Sequence, residues 1–87
     1  MTYELFRSQQ ALRQLRHLHK TQPKMIPLII SAITALSDNP RPSGAVRLVG
    51  RSGWRVRIGN YRVLYQIDDK NRIVTIVSVS HRRDVYR

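Results

Sequence analysis

Apolar residues recur along this chain at two different spacings. Ala11, Leu12, Leu15 and Leu18 fall three or four apart, the mark of a helix with one buried side. Arg13, Arg16, His17 and Lys20 fill its wet side. Ser8 precedes it, and its hydroxyl can accept from an orphan N–H of the first turn. Thr21-Gln22-Pro23 breaks the pattern. A second stripe follows at Ile26, Ile29, Ile30, Ile33 and Leu36. Proline is tolerated only in a first turn, so this helix starts between Pro23 and Pro27, and it stops at Ser37-Asp38-Asn39-Pro40. The gap between the two is short, which predicts an antiparallel hairpin.

Elsewhere the spacing is that of strands. Residues 2–6 predict a short strand, and residues 39–44 a loop. Ala45–Val49 predicts a short strand and Gly50–Gly53 a turn. Trp54–Ile58 and Tyr61–Ile67 alternate across Gly59-Asn60, a two-residue hairpin signal. Asp68–Arg72 turns the chain again. Ile73–Ser80 is apolar on both faces, as a central strand would be. The order strand, helix, helix, strands predicts an α+β fold: an N-terminal strand and a two-helix hairpin packed on a twisted, mostly antiparallel sheet of four to five strands. Residues 1–87 have room for one domain with a modest core, and no repeat or long linker divides them.

If Gly59 and Asn60 form the loop, Ile58 faces Tyr61, Arg57 faces Arg62, Val56 faces Val63, Arg55 faces Leu64 and Trp54 faces Tyr65. Side chains alternate along a strand. Trp54, Val56, Ile58, Tyr61, Val63 and Tyr65 then share a core-like face, and Arg55, Arg57, Arg62 and Leu64 the other. Like charges placed directly opposite cost up to ~1 kcal/mol, so setting Arg57 against Arg62 makes sense if an anion fits between them. Pairing Tyr65 with Thr75 would put Val63 opposite Val77 and Arg62 opposite Ser78. Ser78, Ser80 and Arg82 would then point to the cationic face and His81 to the core-like one. A slip of one residue would reverse this.

Charge sharpens the picture. The chain has 16 basic and 5 acidic residues, formally +11, and only Lys20, Lys24 and Lys70 among the basic ones are lysine. Arginine suits planar, bidentate contact with phosphate or carboxylate. Residues 1–40 carry +3 and residues 41–87 carry +8. A polyanionic partner is expected: RNA, DNA or an acidic protein. There is no cysteine, so no disulfide helps the fold. The first residues lack the pattern of a signal peptide, and the apolar stretch from Met25 to Leu36 is too short to span a bilayer, so a cytoplasmic protein without membrane contact is expected. No metal site and no cofactor is suggested: His17 and His19 do not face each other on a helix, and no phosphate loop is present.

Two blocks bring these features together: Trp54-Arg55-Val56-Arg57-Ile58-Gly59-Asn60-Tyr61-Arg62-Val63-Leu64-Tyr65-Gln66-Ile67 and Val77-Ser78-Val79-Ser80-His81-Arg82-Arg83-Asp84-Val85-Tyr86. With the helical hairpin before them they strongly resemble the RelE branch of the RelE/ParE toxin superfamily. The resemblance implies an endoribonuclease that cleaves mRNA in the ribosomal decoding site, held inactive by an acidic, RelB-like antitoxin. It places the basic site positions at Arg55, Arg57, Arg62 and Arg82 and the functional tyrosine at Tyr86. Cleavage would use the RNA's own 2′-OH, with Arg57, Arg62, Arg82 and Tyr86 in the catalytic group and His81 as a candidate acid or base. Arg47, Arg51, Arg55 and Arg83 would bind RNA.

The pattern also departs from the family. Well-studied members carry lysines where this chain has Arg55 and Arg57, and arginine is a poor base. The sequence stops just past the tyrosine, so no mobile C-terminal helix is expected. Two other readings stay open: a ParE-like gyrase inhibitor on the same fold, and an RNA-binding module without catalysis.

Overall fold

Ser8 sets where the first helix begins and what it lies against. In the computed structural model, which describes residues 2–81, the Ser8 hydroxyl accepts from the Ala11 N–H at 3.0 Å and donates to the Val77 carbonyl at 2.6 Å. One side chain thus caps helix α1 (Gln9–Thr21) and fastens it to the last strand. Ser8→Ala removes both bonds. It is expected to lower unfolding free energy by about 2 kcal/mol, read as a lower urea midpoint with an unchanged slope. An unmoved midpoint would deny Ser8 this role.

The remaining elements are β1 (Glu4–Arg7), α2 (Ile26–Asp38), β2 (Val46–Arg47), β3 (Trp54–Ile58), β4 (Tyr61–Asp68) and β5 (Ile73–His81). They form an α+β fold with one five-stranded sheet in the order β1-β5-β4-β3-β2. Only β1 and β5 pair in parallel; the other neighbours are antiparallel. Ile73–Ser80 is indeed an internal strand. Proline sits in the first turn of α2, as expected. The helices cover one face of the sheet. Ala11, Leu18, Ile29, Ile33 and Leu36 meet Val63, Tyr65, Val74, Ile76 and Val79 in the core.

Some boundaries differ from expectation. β1 starts at Glu4 rather than residue 2, because the Tyr3 N–H is drawn to the Ser37 carbonyl at the end of α2. β2 shrinks to two residues. Leu12 and Ile30 are exposed, at 42% and 36%. Each helix meets the sheet along a line narrower than its apolar stripe, so the residues on the stripe's rim stay wet.

The β3–β4 hairpin pairs as the sequence predicts, from Trp54 opposite Tyr65 to Ile58 opposite Tyr61. Gly59 takes φ +60, the left-handed first position that a tight hairpin turn of this kind asks of glycine. The β4–β5 register does not follow the expected pairing. Arg62 lies opposite Ser80, Val63 opposite Val79 and Leu64 opposite Ser78, two residues along from the expected partners. Tyr65 lies opposite Ile76 rather than Thr75, so Val77 is an extra residue in β5. A bulge of this kind re-aims side chains while leaving the rest of the ladder intact. Because the slip is two residues at Arg62, the faces are preserved: Ser78 and Ser80 still stand on the arginine side.

β1 reaches only as far as Ile76 on β5. Beyond it α1 takes over that edge. The Val79 N–H donates to Gln14 Oε1 at 2.6 Å, and the Val77 carbonyl accepts from Ser8. Side chains of α1 and its cap thus satisfy backbone groups that a missing strand would otherwise leave open.

Candidate functional site: an arginine-bearing sheet face

The alternation along β3 and β4 carries the site. Arg57 and Arg62 are direct cross-strand partners, next to the pair of Arg55 and Leu64 on the same face. Arg57 is exposed and Arg55 half-buried, while Arg62 is only 4% exposed. Arg57 and Arg62 line a hollow of about 120 Å³ with Gly59, Asn60 and Tyr61. A second hollow of about 280 Å³ opens on Leu64, Val77, Ser78, Ser80, Arg51, Gln10 and Gln14. Arg62 lies opposite Ser80, so the two hollows adjoin across that pair. The bulge contributes here, since Val77 and Ser78 together oppose Leu64 and both reach the second hollow.

Arg51, Arg55, Arg57 and Arg62 are therefore brought to one face. Arg47 is not: it pairs with Trp54, whose side chain packs toward the core side. Arg47 instead lines a separate hollow of about 470 Å³ with Arg41, Trp54, Gln66 and Asp69. His81 also lies across the sheet from the arginines. It pairs with Tyr61, their rings meet edge-on at 5.3 Å, and both border a cleft with Arg13, Gln14 and His17 of α1. Arg82, Arg83 and Tyr86 lie outside the described residues.

Sequence reasoning missed Gln10 and Gln14. Their amides join the site only because α1 runs along the open edge of β5, and helical periodicity says nothing about which edge a helix follows.

Among the described residues, Asp68 and Asp69 are engaged elsewhere. Asp69 accepts both Arg41 guanidinium nitrogens, at 2.7 and 3.2 Å, and the Tyr3 hydroxyl at 2.6 Å. Arg41 also lies 5.3 Å from the centre of the Trp54 ring. The Arg41 hydrogen bond, helped by that of Tyr3, holds the Asp69 carboxyl down at about 2. Asp68 accepts from the Asn71 backbone and side chain, which lowers its pKa too. Arg41 with Asp69 is the ion pair among the described residues.

The Asp69 clamp has a testable pH dependence. The folded pKa lies below the ordinary value of 3.8, so the clamp is complete above about pH 4 and is lost as pH falls toward 2. In carbon-detected NMR the Asp69 carboxyl is expected to titrate near 2 in the wild type and to move back toward 3.8 in Arg41→Gln. No movement in the variant would remove Arg41 as the cause.

Among the described residues no cluster of three or more His, Cys, Asp or Glu could hold a metal ion. No helix there is long and apolar enough to cross a membrane.

Known proteins agree with this architecture. Residues 5–86 match the family of ParE toxins of type II toxin–antitoxin systems, parDE. The chain is 38% identical over 74 residues to Toxin RelG of Mycobacterium tuberculosis, covering 83% of this chain and 85% of that protein. It is similar to the toxin–antitoxin complex RelBE2 of Mycobacterium tuberculosis, with 28% identity, a TM-score of 0.77, and 93% of this chain and 99% of that chain covered. A double mutant of the E. coli toxin RelE in the free state matches with 25% identity and a TM-score of 0.71, over 99% of this chain and 92% of that one. The helical hairpin on a five-stranded mixed sheet and the match along almost its full length lead to one assignment: the chain belongs to the RelE/ParE superfamily of type II toxin–antitoxin toxins.

Proposed function

We propose that this toxin is a metal-independent endoribonuclease that cuts mRNA, in the RelE manner, in the ribosomal decoding site of the cytoplasm. The observation that carries the reading is the direct cross-strand pairing of Arg57 with a nearly buried Arg62 on one sheet face. A guanidinium fixed where water is largely excluded is suited to meet charge as it develops on a phosphate.

The chemistry is transesterification within the RNA. The 2′-oxygen attacks the adjacent phosphorus and loses its proton, and the bond to the 5′-oxygen breaks as that oxygen gains one. The products are a 2′,3′-cyclic phosphate and a free 5′-OH. Arg62 stabilises the charge on the phosphorane oxygens, with Arg82 as the second sequence-assigned group for this role. Arg57, Arg55 and Arg51 hold the flanking phosphates. None of the arginines takes up a proton. Proton transfer falls to another group, His81 in the sequence reading, while Tyr86 stacks on a base or positions the 2′-OH. For His81, standing behind the sheet against Tyr61, the role requires the RNA to reach around the β5 end.

The partner that keeps the site closed is an acidic, RelB-like antitoxin, in keeping with the RelBE2 structure, which holds a toxin with its antitoxin. The test is mRNA cleavage with purified ribosomes, run beside a gyrase supercoiling assay because the matching family carries the ParE description. Cleaved mRNA with active gyrase is expected. Inhibited gyrase with intact mRNA would move the assignment to a gyrase poison.

A further inference from the structure

The hollow of about 280 Å³ is built differently from the arginine hollow it adjoins. Gln10, Gln14, Ser78 and Ser80 supply its neutral polar groups, over Leu64 and Val77. Among the described residues Arg51 is its one charged group. Ser78 is only 7% exposed, and its hydroxyl borders the hollow without a hydrogen bond among the described residues. A hydroxyl buried that far ordinarily has a partner. Gln14 is half-buried. Its Oε1 accepts from the Val79 N–H at 2.6 Å, which fixes the amide and leaves Nε2 as a donor to spare.

We propose that this hollow takes one unstacked nucleobase of the substrate RNA, and that Ser78 and Gln14 read its edge. The pocket rests on the nuclease reading and adds to it the place where sequence preference is set. Charge decides the occupant. A phosphate or an acidic side chain calls for cations, and those stand next door at Arg57 and Arg62. A base is neutral, with donors and acceptors along its edge and apolar faces. Leu64 and Val77 suit the face, and the serines and the Gln14 amide suit the edge. An apolar side chain of a protein partner would cover Ser78 and Gln14 Nε2 without pairing them, and stranded polar groups weaken binding. Position agrees: Ser80 faces Arg62 across the ladder, where strands lie about 5 Å apart. One nucleotide spans that step, with its phosphate at Arg62 and its base in the hollow. The β5 bulge serves the pocket, since it sets both Val77 and Ser78 against Leu64. Gln14 Nε2 only donates, so a base that presents an acceptor to it is preferred.

The test is fluorescence anisotropy with labelled hexanucleotides of 2′-fluoro RNA, which hold no 2′-OH and cannot be cut. Each base is replaced in turn by an abasic unit. Wild type is compared with Ser78→Ala and Gln14→Glu. Glutamate keeps an oxygen for the Val79 N–H and removes the amide donor, so α1 stays fastened to β5. Thermal melts check that both variants fold.

One abasic position is expected to weaken wild-type binding about 10-fold, the size of one base's contacts, and the others less than about threefold. In both variants the loss at that position should shrink to about threefold or less, because the base and the side chain are partners. Equal weakening at every position by Gln14→Glu would reduce its effect to added charge and overturn the pocket. So would a series in which no base stands out, as expected if a protein covers the hollow. Cleavage on ribosomes is scored separately. Cut mRNA with no base standing out keeps the nuclease and removes the pocket. Intact mRNA with one base standing out keeps the pocket and sinks the nuclease reading.

Discussion

Arg62→Gln is expected to lower mRNA cleavage by about 100- to 1,000-fold, the range for losing one preorganised charge-stabilising group. Arg62 is 4% exposed and lies between Arg57 on one side and Ser80 on the other, so its guanidinium acts where solvent screens little. Arg57 is exposed, and water screens its charge. Arg57→Gln should therefore cost only about 10-fold, mostly as weaker binding. Arg62→Lys keeps the charge but loses the planar fork, and should recover part of the rate. Single-turnover cleavage on ribosomes, with thermal melts to confirm folding, separates these outcomes. A folded Arg62→Gln toxin that cuts mRNA at the wild-type rate would remove Arg62 from the chemistry.

The largest effect on stability is expected at Tyr65. Its ring is 1% exposed in the core beside the β5 bulge, and its hydroxyl donates to the buried Pro40 carbonyl at 2.7 Å. Burial pushes the phenol up to about 12, so it remains a donor at any working pH. Tyr65→Ala should cost about 3–5 kcal/mol through the cavity it leaves. A domain of this length has about 4–13 kcal/mol in all, so much of the protein would unfold. Tyr65→Phe keeps the ring and strands the Pro40 carbonyl, for about 1–2 kcal/mol. Urea unfolding measures both. A Phe variant as stable as wild type would show that this bond does not hold the Pro40 loop to the sheet.

The parts of the fold that were legible in the sequence are those set by neighbours in the chain. Ser8 before an apolar stripe marks a helix start because the cap bond spans three residues. Gly59-Asn60 sets the β3–β4 pairing because a two-residue turn leaves one register open to its flanks. The opposition of Arg57 and Arg62, the centre of the candidate site, follows from that turn alone.

The β4–β5 pairing was not legible in the same way. Four residues separate Asp68 from Ile73, too many to dictate a register, and the bulge at Val77 has no local signature in a run of β-branched residues and serines. The faces survived because the slip at Arg62 was even.

Chain chemistry by itself thus determined the two helices, the strands, the hairpin and the arginines that share its outer face, since each rests on periodicity or on contacts a few residues long. Only the tertiary structure decided that Arg62 is buried while Arg57 is wet, that Arg47 stands apart from the arginine face, and that α1 lines the open edge of β5. Those outcomes depend on which surfaces pack together across tens of residues. Burial and backbone satisfaction settle that for the whole fold at once, and no short stretch of sequence encodes it.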